Sequence, residues 1–253
     1  MNRRQEAVTF EGVEARLSGS LQIPGGDMRG CVVLAHCFTC SKSYKVIRNL
    51  ATGIEQGGYA VLRFDFTGLG ESEGDFVETS LATNVGDLEA ATRYMRLRGF
   101  GPCAMVGHSL GGAAALLAAR ETPEIHAVVT VAAPSSTDHV RHLFEEDDVE
   151  TALSSGRVRV RIAGRPFEIS AEFFRELGRQ STLDHITNLQ RPLLVVHGTA
   201  DQVIAIEEGE TIFAAARQPR WFAAIPGANH LFTNHEHAAV AAGAIVAFLR
   251  AVL

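Results

Sequence analysis

The 253-residue sequence lacks a long basic run, and its formal net charge is −6. Nucleic-acid-binding proteins carry clustered positive charge, so this composition argues against a nucleic-acid partner. The opening Met-Asn-Arg-Arg-Gln-Glu lacks the apolar stretch of a signal peptide, and no apolar run is long enough to span a bilayer. We therefore expect a cytoplasmic protein with no membrane partner.

Cysteine is also scarce, with four in the chain. Cys31 and Cys103 lie in apolar, strand-like runs, which is typical of inert core thiols. Cys37 and Cys40 have redox-pair spacing, but no second Cys/His pair completes a zinc site. We expect no metal and reduced thiols, with Cys37 and Cys40 as small residues that line a loop. A redox pair is the alternative.

Short apolar runs alternate with helical stretches, which predicts a mostly parallel sheet with helices on both faces. The segment Ala7–Leu21 has a looser alternation that favours an antiparallel edge hairpin. The predicted strands are Cys31–Ala35, Ala60–Phe66, Cys103–Val106, Ala127–Ala132, Leu193–His197 and Trp221–Ile225. The predicted helices are Tyr44–Gln56, Leu81–Arg98, Leu110–Arg120, Ile206–Ala216 and Glu236–Leu253.

The alternation breaks between Pro134 and Pro192, where the chain is far longer than one strand-helix-strand unit needs. Charged and apolar residues alternate from Arg157 into Gly164, which predicts a hairpin strand with one solvated face, and a helix follows near Ala171–Arg179. We predict a cap subdomain at residues 135–191, inserted into a core of residues 1–134 and 192–253. A surface excursion without a role is the alternative.

The pentapeptide Gly107-His108-Ser109-Leu110-Gly111 stands between a predicted strand and a helix rich in alanine. This G-x-S-x-G pattern at a strand-to-helix turn lifts a serine hydroxyl above a parallel sheet. Side chains at positions 107 and 111 would collide in so sharp a turn. Ser109 is therefore the predicted nucleophile.

A serine nucleophile needs a base, and the base needs an orienting acid. Asp201 and His230 follow the last two predicted strands, in the chain order Ser-Asp-His that fits this kind of sheet. His36, His108 and His197 are rival histidines that could serve packing or hydrogen bonding. Asp65 and Asp184 are rival acids, but Asp65 precedes the serine and Asp184 falls inside the cap.

The oxyanion of an acyl-transfer reaction needs preorganised N–H donors. The amide of Leu110, just after the nucleophile, is one candidate. The amide of Phe38, after an early strand, is the other by position. The predicted substrate-binding residues are His108, Phe144, Phe167, Phe173 and Phe174, although aromatic residues at the spacing of these phenylalanines more often form a cap core.

Together these residues resemble the α/β-hydrolase superfamily over essentially the whole chain. The segments His36–Lys42 and Arg63–Ser72, with the final Gly-Ala-Asn-His, are similar to hydrolases associated with OsmC-type proteins. The insertion is similar to that of bacterial feruloyl and cinnamoyl esterases. The usual His-Gly of the oxyanion strand is His36-Cys37 here. The resemblance implies an α/β-hydrolase fold with a small inserted cap, and a serine esterase that acts on a small-molecule ester and requires no cofactor.

Two other functions stay open from the sequence. One is thioesterase or perhydrolase chemistry on the same triad. The other is a non-catalytic, ligand-binding role in a peroxide response. The sequence does not identify the natural ester, and it leaves a homodimer open.

Overall fold

A computed structural model describes residues 3–137, 140–141, 144–162, 164–177 and 182–253. Eight strands form one sheet in the order β1-β2-β4-β3-β5-β6-β9-β10. From β4 to β10 neighbouring strands run parallel, whereas β1 pairs antiparallel with β2 and β2 with β4. These strands are β1 (Arg4–Glu11), β2 (Arg16–Ile23), β3 (Gly30–Ala35), β4 (Tyr59–Phe64), β5 (Cys103–His108), β6 (Ile125–Val131), β9 (Leu193–Gly198) and β10 (Arg220–Ile225).

Helices cover both faces of the sheet and create two apolar cores. Helices α1 and α8 pack together over one face, while α2 and α3 pack over the other. Every residue of β3, β4, β5 and β9 is buried, which is why these strands are near-continuous apolar runs. The helices of the core are α1 (Lys45–Gln56), α2 (Leu81–Leu97), α3 (Leu110–Glu121), α7 (Ile206–Ala215) and α8 (His235–Val252), with a 3₁₀ turn at Phe76–Glu78.

The predicted α/β architecture is confirmed, and so is the edge hairpin, formed by β1 and β2. Two strand predictions extend too far, because β4 ends at Phe64 rather than Phe66 and β6 ends at Val131 rather than Ala132. The chain leaves the sheet at Asp65, whose amide still donates to the Ser18 carbonyl of β2, while its side chain accepts a hydrogen bond from the Lys42 amide in the loop after β3. None of the helices in the described ranges is long and apolar enough to cross a membrane.

The insertion between β6 and β9 contains α4 (Glu146–Ser155), β7 (Arg157–Ile162), β8 (Arg165–Ser170), α5 (Ala171–Glu176) and α6 (Thr182–Thr187). Strands β7 and β8 form the predicted hairpin, with Val158 and Val160 buried on one face and arginines exposed on the other. Helix α5 ends at Glu176, and the predicted extension to Arg179 reaches positions outside the described residues. The division of the chain into core and cap subdomains stays a prediction.

Candidate active site

Ser109 lies at the turn from β5 to α3, in a conformation that few non-glycine residues adopt. Its φ is 55° and its ψ is −127°. Its amide donates a hydrogen bond of 2.9 Å to the carbonyl of Val131 on β6, which fixes the turn to the neighbouring strand. A positive φ at this junction points the serine side chain out of the sheet edge, as a nucleophile elbow requires.

Glycines make this turn possible because they let the backbone segments on either side approach closely. A Cβ on Gly107 would lie well under 3.0 Å from the Gly111 carbonyl, and one on Gly111 would meet the His36 carbonyl equally closely. The sequence predicted a collision at both positions, and the structure confirms it. Gly112, which the pattern did not include, is equally tight, because its Cβ would lie 2.6 Å from that of Ala133.

His230 and Asp201 form a hydrogen-bonded pair at the carboxyl edge of the sheet. His230 Nδ1 lies 2.9 Å from Asp201 Oδ2, and the aspartate side chain is fully buried. The other carboxylate oxygen accepts hydrogen bonds of 2.9 Å from the amides of Val203 and Ile204. Burial alone would raise the pKa of Asp201, but these hydrogen bonds and the nearby His230 outweigh it and lower the pKa below its usual range. The carboxylate is therefore charged at neutral pH.

The loops that carry this pair are bonded to each other. The amide of Ala200 donates to the Ala228 carbonyl at 3.0 Å, and the amide of Gly227 donates to Thr199 Oγ1 at 2.9 Å. The loops follow adjacent strands, β9 and β10, so the two residues meet although 29 positions separate them. Among the described residues no hydrogen bond joins Ser109 to His230, an arrangement seen in unliganded triads.

His108 does not lie where a substrate-binding residue, its predicted role, would lie. Its side chain is fully buried, and its Nε2–H donates a hydrogen bond of 2.8 Å to the backbone carbonyl of His230. Burial and the neighbouring His230 lower the pKa of His108 to about 3, so the ring is neutral. His108 thus lies beneath the histidine loop and not on a substrate-facing surface, because β5 directs its side chain into the interior.

The two predicted oxyanion donors share a small cavity. Phe38, in the loop after β3, and Leu110, the first residue of α3, both line it, together with His36 and Gly111. Neither the Phe38 nor the Leu110 amide donates a hydrogen bond within the described part of the chain. A helix leaves its first amides unpaired, which makes them available to an anion.

His36 supports this loop from inside, in the hydrogen-bonding role that the sequence analysis named for it as an alternative to catalysis. Its Nε2 accepts a hydrogen bond of 3.3 Å from the Phe66 amide, so the proton resides on Nδ1, which donates to the Cys37 carbonyl at 2.8 Å. Burial lowers the pKa of His36 to about 4. The neutral ring thereby connects the loop after β3 to the loop after β4. His197 has a similar supporting place, since its Nε2–H donates to the Ile204 carbonyl at 3.0 Å beside Asp201.

The expectation that Cys37 and Cys40 are unlinked thiols is wrong, because the structure joins them in a disulfide. A turn brings them together: the Cys40 amide donates to the Cys37 carbonyl at 3.1 Å, and Thr39 has a φ of 58°. Spacing alone could not distinguish a disulfide from two lining residues. Cys31 and Cys103 are free and buried, as predicted.

Asp65, a rival acid, is committed to another ion pair. It lies 2.5 Å from Lys42 Nζ, and it also accepts hydrogen bonds from the amides of Lys42 and Glu71. This buried pair fixes the loops after β3 and β4 to each other, which explains the motif Arg63–Ser72 structurally. Asp184, the other rival, is exposed on α6.

The predicted substrate-binding phenylalanines gather over the Phe38 loop. The Phe38 ring stacks on Phe173 at 5.1 Å between centroids, and Phe144 contacts both Phe173 and Phe174. Phe173 and Phe174 are buried, so they form the core of the insertion, whereas Phe144 and Phe167 are half-buried. Phe76, which the sequence analysis missed, joins the cluster through Phe38 and Phe167.

Comparisons with known proteins identify the family and fold of the chain. Residues 26–151 match the family model described as serine aminopeptidase, S33. The esterase domain of a Rhodothermus marinus protein is 37% identical, has a TM-score of 0.79 and is matched over 98% of both chains. Est1E from Butyrivibrio proteoclasticus, solved with ferulic acid bound, shares the fold at 21% identity, with a TM-score of 0.84 over 97% of this chain and 99% of its own.

A curated relative, the uncharacterized protein YfhR of Salmonella typhi, is 26% identical over 187 residues. The match includes 72% of this chain but only 58% of that protein, so the chain spans little more than half of its relative. The predicted likeness to an α/β-hydrolase is confirmed by the family match and the solved structures, while the likeness to OsmC-associated hydrolases stays a prediction. The chain therefore belongs to the α/β-hydrolase superfamily.

Proposed function

We propose that the protein is a serine esterase that cleaves carboxylic esters through Ser109, His230 and Asp201. The observation that carries the proposal is the pairing of a strained serine elbow, with φ at 55°, and a buried histidine–aspartate pair 2.9 Å apart. His108 connects the two, because it precedes Ser109 in the chain and bonds to the His230 backbone. The esterase domain at 37% identity supports ester substrates.

In the proposed reaction His230 removes the proton from Ser109, and the serine oxygen attacks the ester carbonyl. The amides of Phe38 and Leu110 bind the oxyanion that forms. Asp201, charged at neutral pH, orients the imidazole and stabilises the imidazolium. His230 then protonates the leaving alcohol, and the same residue activates the water that hydrolyses the acyl-enzyme.

Surroundings of the site favour an apolar group on the substrate. The Phe38 ring packs against Phe76, Phe144 and Phe173, with centroids 5.1 to 6.3 Å apart, and Phe38 and Phe76 both line the small cavity. Such faces accept apolar or aromatic groups.

The decisive test is Ser109→Ala, measured on p-nitrophenyl acetate. We expect turnover to fall by at least about a thousandfold, since triad residues act as a unit. Ser154→Ala is the matched control, because Ser154 is exposed on α4 and bonds only to backbone carbonyls there. Circular dichroism establishes that both variants are folded. A fluorophosphonate probe should label the wild type and the control but not Ser109→Ala, and full activity without Ser109 would refute the proposal.

A substrate panel separates the competing reactions. Short aryl esters, an acyl-CoA, an aminoacyl anilide and an acid with hydrogen peroxide represent esterase, thioesterase, aminopeptidase and perhydrolase activity. We expect the highest kcat/KM on esters. Turnover of none of them, in a folded protein that also resists the fluorophosphonate, would favour a binding role instead.

A further inference from the structure

The disulfide Cys37–Cys40 encloses the two residues that shape the oxyanion loop. Phe38, whose amide is a proposed oxyanion donor, and Thr39 are the only residues between the two cysteines. The cysteine Cα atoms lie 5.3 Å apart, and the Cys40 amide donates to the Cys37 carbonyl. Any change in this turn therefore moves the Phe38 amide.

The backbone conformation of Thr39 is unfavourable, so the turn needs other contacts to hold it. Its φ is 58°, a left-handed conformation that a β-branched residue adopts only when its surroundings enforce it. Two groups enforce it besides the disulfide: the Arg165 guanidinium of β8 donates to the Thr39 carbonyl, and Thr39 Oγ1 donates to the Phe38 carbonyl at 2.7 Å. The disulfide is the only covalent constraint of the three.

Reduction would also require more space. Two unlinked thiol sulfurs cannot approach as closely as two bonded ones. Cys37 and Cys40 are each only 6% exposed, so the surrounding atoms leave little room for the sulfurs to separate. The turn must open instead, and the Phe38 amide, together with the ring stacked on Phe173, moves with it.

We propose that Cys37 and Cys40 form a reversible dithiol/disulfide site that controls turnover at the neighbouring active site, with the disulfide form active and the dithiol form impaired. The proposal rests on the proposed esterase function. In the reductive step one thiolate of a dithiol reductant attacks a sulfur of the disulfide and forms a mixed disulfide, which the second thiolate resolves. The protein gains two electrons and two protons, and the reductant becomes a cyclic disulfide.

The other two cysteines lie in a different environment, so a variant of one of them is a control for the redox experiment. Cys31 and Cys103 are register partners on the parallel strands β3 and β5, within the sheet. The hydrogen bond with Cys31 and then burial raise the pKa of Cys103 well above its usual range, so its thiol is not reactive. Cys103→Ala should therefore leave any redox response unchanged.

The experiment measures kcat and KM on p-nitrophenyl acetate for the protein equilibrated with oxidised or reduced dithiothreitol. Thiol alkylation and intact mass report how many cysteines are reduced, and near-UV circular dichroism reports folding. We expect kcat of the folded dithiol form to fall about tenfold or more, with KM nearly unchanged, and to recover after reoxidation. Cys37→Ala/Cys40→Ala should have the low kcat under both conditions, while Cys103→Ala should respond like the wild type.

The results separate this inference from the esterase proposal. If the disulfide form is active and Ser109→Ala abolishes that activity, the esterase proposal is supported, whatever effect reduction has on kcat. Equal kcat in folded disulfide and dithiol forms overturns the redox inference, and so does a disulfide that excess dithiothreitol does not reduce in the native protein. If the double alanine variant fails to fold, the reduced wild type, verified by alkylation, decides the question.

Discussion

His108 Nε2 donates a hydrogen bond of 2.8 Å to the backbone carbonyl of His230, so the residue next to the proposed nucleophile holds the loop of the proposed base. The two rings lie 5.0 Å apart, and the pKa of His108, lowered to about 3, keeps it a neutral donor across the working pH range. The bond joins the end of β5 to the loop after β10. It therefore constrains the separation of Ser109 and His230, between which the proposed reaction transfers a proton.

Replacing His108 should affect chemistry more than binding. In His108→Leu the His230 carbonyl loses its buried donor and the base shifts, and a misplacement of about 1 Å costs roughly a hundredfold in rate. We expect kcat on p-nitrophenyl acetate to fall about 10- to 100-fold with little change in KM. The fluorophosphonate labelling rate should fall in parallel.

His108→Gln is the matched variant, because its amide N–H can reach the position of Nε2. We expect it to retain much more of kcat than His108→Leu. If both variants lose the same rate, or if the loss is in KM, the hydrogen bond to His230 does not position the base. Unfolding curves in urea distinguish this effect from a general loss of stability.

Two of the buried histidines, His36 and His108, should make the protein sensitive to acid. The pKa of His36 is lowered from 6.5 to about 4 and that of His108 to about 3, in both cases first by burial. An unfolded chain binds these protons below pH 6.5 and the folded chain does not, so stability is complete above that pH and is lost as pH falls toward 4. The loss is on the order of 3 kcal/mol for each histidine.

Urea unfolding at intervals between pH 7.5 and pH 4.5 measures this dependence. His36→Gln should reduce the slope of unfolding free energy against pH, because one titrating group is removed while an amide can still bond to the Cys37 carbonyl. His235→Gln is the control, since this histidine at the start of α8 is exposed to solvent. A slope that does not change in His36→Gln would contradict the assignment of His36 as a buried neutral group.

Much of this molecule was predictable because burial on both faces of a parallel sheet leaves a strong pattern in the sequence. The run at β3 and the alternation at β7 predicted strands of the correct kind, and strand order brought Asp201 and His230 together. Contacts that depend on which way a side chain points were not predictable. His108 faces the interior instead of substrate, and the partners of His36 and Asp65 come from loops whose path no periodicity describes. The disulfide depends on the turn at Thr39, which spacing does not reveal.

The glycines of the elbow offer a last test of how closely strand and helix must approach. A Cβ on Gly107 would lie far inside van der Waals contact with the backbone of Gly111 and Gly112, whereas a Cβ on Gly243, exposed on α8, would meet nothing within 4 Å. We expect Gly107→Ala to lose about 1–3 kcal/mol or more of unfolding free energy, because α3 must move away from β5. The kcat of Gly107→Ala should fall by a larger factor than its equilibrium constant for folding, since that movement displaces Ser109. Gly243→Ala should gain about 0.5–1 kcal/mol, because alanine restricts the unfolded chain and favours the helix. Urea unfolding and kcat measured on the same preparations decide the matter, and a Gly107→Ala protein as stable and active as Gly243→Ala would show that the elbow tolerates a side chain.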